Sequence, residues 1–295
     1  MGQNIESLLW QTHSYVNSEY RKLLGRLKSK DHEVLRRKIE KLYFAFLKTS
    51  QLFYRGYLQR LAAAFAIPDL ERIAHAKSII LGRMDKVTQM DVVDPLLQAS
   101  IMKSCHQTLL HLGDLARYRN QTRHKGQPSE SALVYYSMAQ DLNPDSGFAH
   151  HQMGVVYLDE KKHLNVVYHL YRALAVATPH PNGVTNLEAE FANLLVPSTL
   201  ASRNPKSDED AMRDWFVKLH AYFYRGDNFA QHRELEEEVM HRLELALKNE
   251  AWSGVAFDLF KMVIVNVAAY SIANEKVKST YSFPSAKDVV LRQVS

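Results

Sequence analysis

The residues best suited to chemistry lie in the run Leu112 to Gln121, LGDLARYRNQ, where Arg117, Tyr118 and Arg119 follow Gly113. The spacing predicts a helix with the glycine at a packing position and the three cation or phenol side chains about one turn later. Arginine is a planar, permanently charged fork suited to phosphate oxygens. An Arg-Tyr pair on one helix combines a bidentate donor with a hydroxyl donor. That combination suggests a phosphate-binding helix; the alternative is an ordinary solvated face, the usual fate of a charge run.

Other chemistry is scarce. There are 14 histidines, but no HExxH. His150 and His151 are adjacent and diverge by about 100° on a helix, and His106 and His111 are five apart, off a common face. The chain has no GxGxxG, no GxxxxGK followed by Ser or Thr, no GxSxG, and no carboxylate cluster of the kind a metal-dependent nuclease needs. It is therefore expected to be no enzyme and to need no cofactor and no metal.

The elements that must position Arg117 read as helices throughout. The 295 residues hold only 11 Gly and 9 Pro, alternation of strand type is hard to find, and apolar residues recur at three and four. One helix is predicted from Ser7 to about Leu27. A second runs from Glu33 to about Phe65, stopped by Pro68, with Leu35, Ile39, Leu42, Phe46, Phe53, Tyr57, Leu58 and Leu61 on its inner face. A shorter helix follows to about Gly82, then a long one from about Val93 to Tyr118. Residues 109–181 read as a degenerate repeat. Gly113 is followed by Ala132, Tyr136, Ala139 and Pro144, and Gly154 by Val166, Leu170, Ala173 and Pro179, the second set at tetratricopeptide spacing. Beyond Pro197, residues 198–210 have loop composition. Helices then read over Ala211 to Tyr224, Phe229 to Lys248 and Trp252 to about Ala273. The expected organisation is a helical domain over 1–197, a loop over 198–210, C-terminal helices over 211–278 packed on the same superhelix, and a tail over 279–295.

Cys105 is the only cysteine, which points to a reducing compartment, cytosol or nucleus. By inspection no stretch approaches the roughly 20 apolar residues of a membrane span, and the first residues lack a secretory signal. A soluble protein with no membrane partner is expected. The net charge is +5, and Arg21 to Arg60 holds twelve Lys/Arg against Asp31, Glu33 and Glu40. Such a region favours anionic partners without choosing among them.

At LGDLARYRNQ, and again at ALVYYSMAQDLNPDSG, HLYRALAVATPHPNGVTNLE and WFVKLHAYFY, the chain resembles the N-terminal domain of the Ever Shorter Telomeres and SMG family. That family contains a telomerase-associated subunit and phospho-adaptors of nonsense-mediated mRNA decay. The resemblance covers roughly residues 8–275. It implies an all-α, 14-3-3-like antiparallel bundle of about nine helices, partly built from tetratricopeptide pairs, whose concave face binds phosphoserine or phosphothreonine peptides. It makes Arg117 the phosphate-binding arginine and Tyr118 its neighbouring tyrosine. A second cation is expected a few residues after Leu9-Trp10, where this chain has Tyr15; Arg21 or Lys22, further along, is the expected substitute. His151 takes the place of the family's repeat asparagine, and either donates to the phosphate or packs. The implied partner is a phosphorylated protein, either a helicase of mRNA decay or a telomere protein.

Two other partner classes fit the residues. Tyr43, Phe44, Phe46, Phe53, Tyr54 and Tyr57 interleave with the N-terminal cations, as in RNA or single-stranded DNA binding, although helical spacing equally places them in a core. Pairing with a paralogue or a second copy through exposed apolar residues of the first repeat pair is the other.

Overall fold

The computed structural model describes residues 2–65, 67–70, 94–123, 129–196, 207–226, 232–248 and 252–280. Among them lie ten α-helices and a 3-10 turn, with no strand. The shorter helix expected before Gly82, the insertion after Arg123, most of the 198–210 loop and the tail beyond Thr280 fall outside the described residues. The chain divides into two compact units, Met1–Glu160 and Lys161–Ser295.

The first unit contains α1 (Gly2–Arg26), α2 (Glu33–Ala64), α3 (Pro95–Arg123), α4 (Glu130–Leu142) and α5 (Gly147–Asp159). Helix α3 packs against α2, α4 and α5, and α1 lies on α2. Helix α2 ends at Ala64, with Phe65 in extended backbone as its C-cap. Pro68 opens the next helical turn instead of terminating α2, a position where its missing N–H costs nothing.

The buried stripe of α2 is Ile39, Tyr43, Leu47, Tyr54, Leu58 and Ala62, with Ser50 and Gln51. Leu35, Leu42 and Phe53 of the expected inner face lie exposed. The stripe turns because Tyr43 and Tyr54 have hydroxyl partners inside: Tyr43 donates to Asn17 of α1, and Tyr54 bonds His13. A buried phenol with a partner keeps its ring area without stranding its O–H. The first repeat set behaves as its spacing requires, with Ala132, Tyr136 and Ala139 fully buried on α4.

The second unit contains α6 (His163–Leu174), α7 (Gly183–Leu194), α8 (Asp208–Arg225), α9 (His232–Lys248) and α10 (Trp252–Thr280). Val166, Leu170 and Ala173 of the second repeat set are buried on α6, which packs on α7, α8 and α10. Helix α8 starts where Ser207 accepts from the Asp210 amide and stops at Gly226, whose φ of 68° is the left-handed cap that suits glycine.

Contrary to the reading of the bare sequence, one segment among the described residues, Ala256–Glu275 of α10, is by length and composition apolar enough to cross a membrane, though only 28% of it is buried. Asp258 and Lys261 interrupt its apolar run, and both turn inward. Lys261 donates to Asn165 of α6, and Arg213 of α8 pairs with Asp258. These bonds fasten α10 into the second unit's core.

Candidate functional site: the seam between α1 and α3

Gly113 sits where α3 meets α4. A Cβ there would lie 2.3 Å from the Tyr136 ring, closer than atoms can approach, so only glycine lets Tyr136 lie flat on the helix. Tyr136 then donates to Asp114 Oδ1 at 2.7 Å. The same oxygen accepts from Arg117 Nη2 at 3.0 Å. Asp114 and Arg117, one turn apart, are both nearly buried, at 13% and 12% side-chain exposure. Burial pushes the Asp114 carboxyl up, and Arg117 and Tyr136 pull it back. The glycine, the aspartate and the tyrosine from the next helix thus fix the direction of the Arg117 guanidinium.

That guanidinium is not fully engaged. Its buried Nε has no hydrogen-bond partner among the described residues, an uncommon state for a buried donor. Arg117 lies 4.9 Å from the centroid of the Tyr118 ring, and Arg21 of α1 lies 5.7 Å from the same centroid. Two guanidinium groups therefore flank one phenol, with Asp114 as the acid paired to the inner one. Arg21 has no ion pair among the described residues and is exposed. The Tyr118 hydroxyl stays protonated because burial pushes it up.

The other candidates lie differently. Lys22 points away, pairing with Glu19 at 2.8 Å on the surface, so of the two expected substitutes it is Arg21 that joins the seam. Tyr15, at the expected cation position, is 66% exposed on α1. Arg119 donates to Gln51 of α2 at 2.8 Å and lies over Phe44, which commits it to packing. His151 is buried on α5, a neighbour of α3. The role of Asp114 and Tyr136 in holding Arg117 escaped sequence reading, although the i,i+3 spacing of Asp114 and Arg117 was visible there. Of the aromatics that suggested base stacking, Tyr43 and Tyr54 are core and Phe53 alone is exposed. No group of three His, Cys, Asp or Glu among the described residues is placed to hold a metal.

Residues 132–291 match the family model described as the Est1 DNA/RNA binding domain. Residues 4–123 match the one described as telomerase activating protein Est1. The chain belongs to the Est1 family. Among curated relatives it is similar to the nonsense-mediated mRNA decay factor SMG7 of Danio rerio, at 26% identity over 80% of this chain and 19% of the relative. SMG7 of Arabidopsis thaliana is 30% identical over 68% of this chain and 20% of the relative. The telomere elongation protein est1 of Schizosaccharomyces pombe is 26% identical over 53% of this chain and 33% of the relative. The chain thus spans about a fifth of the length of the SMG7 relatives.

Two solved structures share the fold. One, described as the crystal structure of Est1 and Cdc13, has a TM-score of 0.71 at 15% identity, over 91% of this chain and 56% of that one. The other, the Caenorhabditis elegans SMG5-SMG7 complex, has a TM-score of 0.54 at 16% identity, over 97% of this chain and 69% of that one. This Est1-family chain has the all-α, 14-3-3-like helical fold.

Proposed function

We propose that the first unit of this Est1-family chain is a phosphoserine or phosphothreonine peptide-binding adaptor, with no enzymatic activity of its own. In this reading it belongs to a nonsense-mediated mRNA decay factor of cytoplasm or nucleus that recruits decay machinery to a phosphorylated helicase. One observation carries the reading: Arg117, aimed by Asp114 and Tyr136 and left with an unpaired buried Nε, and Arg21 both lie against the Tyr118 ring. A phosphate brings nearly two negative charges and three acceptor oxygens, which two guanidinium forks and a phenol O–H can satisfy together. An unmodified serine offers neither the charge nor the acceptors. The similarity to SMG7 over most of the chain supports the decay branch.

The similarity to est1 and to the solved complex of Est1 and Cdc13 supports a second reading on the same site, recruitment of telomerase through a phosphorylated telomere protein. The description of the model matching residues 132–291 supports a third, RNA or single-stranded DNA binding. Titration with matched phosphorylated and unphosphorylated Ser-Gln peptides tests the first two together. Phosphate-dependent binding that disappears in Arg117→Gln is the expected result. Equal binding of both peptides, beside salt-dependent oligonucleotide binding indifferent to Arg117, would transfer the function to nucleic acid. Phosphopeptides from a decay helicase and from a telomere protein, compared side by side, then decide the branch.

A further inference from the structure

Beside the arginine seam, α1, α2 and α3 enclose a cavity of about 740 Å³ lined by Glu6, Trp10, Tyr54, Tyr57, Ser104 and His111 among others. Its charged lining is one carboxylate, Glu6, and one ammonium, Lys103, and the carboxylate stands among aromatic rings. Tyr57 and Ser104 both donate to Glu6, Ser104 at 2.9 Å, which fixes the carboxylate in place. Trp10 stacks on His111 with ring centroids 3.9 Å apart and meets Tyr54 edge to face. Burial pushes His111 down to about 3, so the imidazole is neutral and adds no charge to that of Lys103.

The pocket continues the seam. Trp10 and Arg21 are eleven apart on α1, and Ser104, His111 and Tyr118 recur at seven on α3, so each set shares one face of its helix. The offsets are about 10 Å along α3 and about 16 Å along α1, distances that an extended peptide covers in three to five residues.

We infer that this pocket binds the arginine or lysine side chain of a peptide, the cation meeting Glu6 and its stem the rings of Trp10, Tyr54 and Tyr57. Carried further on the phosphopeptide reading, the preferred ligand has a basic residue three to five positions from its phosphoresidue. A carboxylate beside aromatic faces attracts a cation both by charge and through the ring quadrupoles, whereas a neutral side chain gains only contact area.

The test has two arms, so that the pocket and the phosphate site fail separately. In the first, N-acetyl-arginine amide and N-acetyl-citrulline amide are titrated into the whole chain while the three tryptophan indole N–H resonances are followed. Arginine amide is expected to move the Trp10 resonance and leave Trp215 and Trp252 in place. Citrulline amide, and arginine amide with Glu6→Gln, should leave all three unmoved. An equal response to both amides, or none, overturns the pocket whatever the phosphate site does. In the second arm, phosphoserine peptides carry arginine or citrulline at positions three to five from the phosphoserine. Arginine is expected to improve affinity about 3- to 10-fold, a gain lost in Glu6→Gln. An arginine advantage that persists in Arg117→Gln without phosphate dependence upholds the pocket and sinks the phosphate site. Phosphate dependence with no arginine advantage does the reverse.

Discussion

Each unit of this chain holds a small cluster of charged groups, and the two clusters are balanced differently. In the second unit Arg213 pairs with Asp210 at 2.8 Å and with Asp258 at 2.6 Å, and Lys261 adds a bond to Asp258 at 3.1 Å. Two cations meet two acids, and Asn165 takes a further Lys261 donor. In the first unit Arg117 pairs with Asp114, Arg21 near the same Tyr118 ring has no ion pair among the described residues, and one buried donor is left over. A balanced cluster is a fastening, whereas an unbalanced one held rigidly by its neighbours has room for an anion. The difference separates a structural ion pair from a candidate binding site, and substitutions can test it.

The largest effect is expected from Asp114→Ala. It strips the nearly buried Arg117 of its paired acid and Tyr136 of its acceptor, and removing one member of a buried pair costs about 3–5 kcal/mol. Asp258→Ala should cost less, about 1–3 kcal/mol, because Arg213 keeps Asp210 and Lys261 keeps Asn165. Urea unfolding followed by tryptophan fluorescence measures both. Equal losses would mean that the first cluster is no less supported than the second.

Arg117→Gln comes next, read in binding. Losing a charge-assisted contact should weaken a phosphopeptide about 10- to 150-fold, roughly 1.5–3 kcal/mol, with the unphosphorylated peptide unchanged. Arg213→Gln, on the balanced cluster, should leave phosphopeptide affinity as it was. Isothermal titration of the two variants compares them directly, and a comparable loss in both would erase the distinction between the clusters.

The contrast also shows what could be read from residues alone. Helix positions were legible for α1, α2, α8 and α9 because their apolar spacing is regular. The inner face of α2 was not, because apolar side chains lie on several sides of that helix. Its phase is set by the bonds of Tyr43 to Asn17 and of Tyr54 to His13, each with a partner on a different helix. At the site, ARY showed the right residue types. The phenol that helps Asp114 aim Arg117 was hidden, since Tyr136 lies 22 positions from Asp114 and reaches it only because Gly113 has no side chain. The choice of Arg21 over Lys22 turned on a single step of about 100° around α1.

A proton titration sharpens the comparison at a smaller scale. Burial lowers His106 to about 4 and His111 to about 3, both on α3. A histidine depressed in the folded state binds its proton more readily when unfolded. Its stabilising contribution is therefore complete above the unfolded value near 6.5 and is lost as pH falls toward 4 and 3. Each should lower stability by about 1.4 kcal/mol per pH unit across that window. His106→Gln combined with His111→Gln should flatten the acid limb of stability against pH, measured by urea unfolding between pH 7 and 4.5. An unchanged limb would assign acid sensitivity to other groups.

The smallest effect is the most discriminating one. Arg21 and Lys22 are adjacent exposed cations on α1, so long-range attraction for an anionic peptide treats them alike. They differ only in local geometry: Arg21 faces Tyr118, and Lys22 is spent on Glu19. Arg21→Ala should weaken phosphopeptide binding about 3- to 5-fold, less than Arg117→Gln because water screens an exposed group. Lys22→Ala should change it less than 2-fold, the scale of a surface ion pair. Repeating both titrations from 50 to 300 mM salt separates the two contributions, since diffuse attraction fades with ionic strength while a direct guanidinium–phosphate contact persists better. If the two alanine variants weaken binding equally and converge at high salt, the seam acts only through its overall charge. If Arg21→Ala keeps its deficit at 300 mM, the flanking of Tyr118 by two arginines is itself the recognition device.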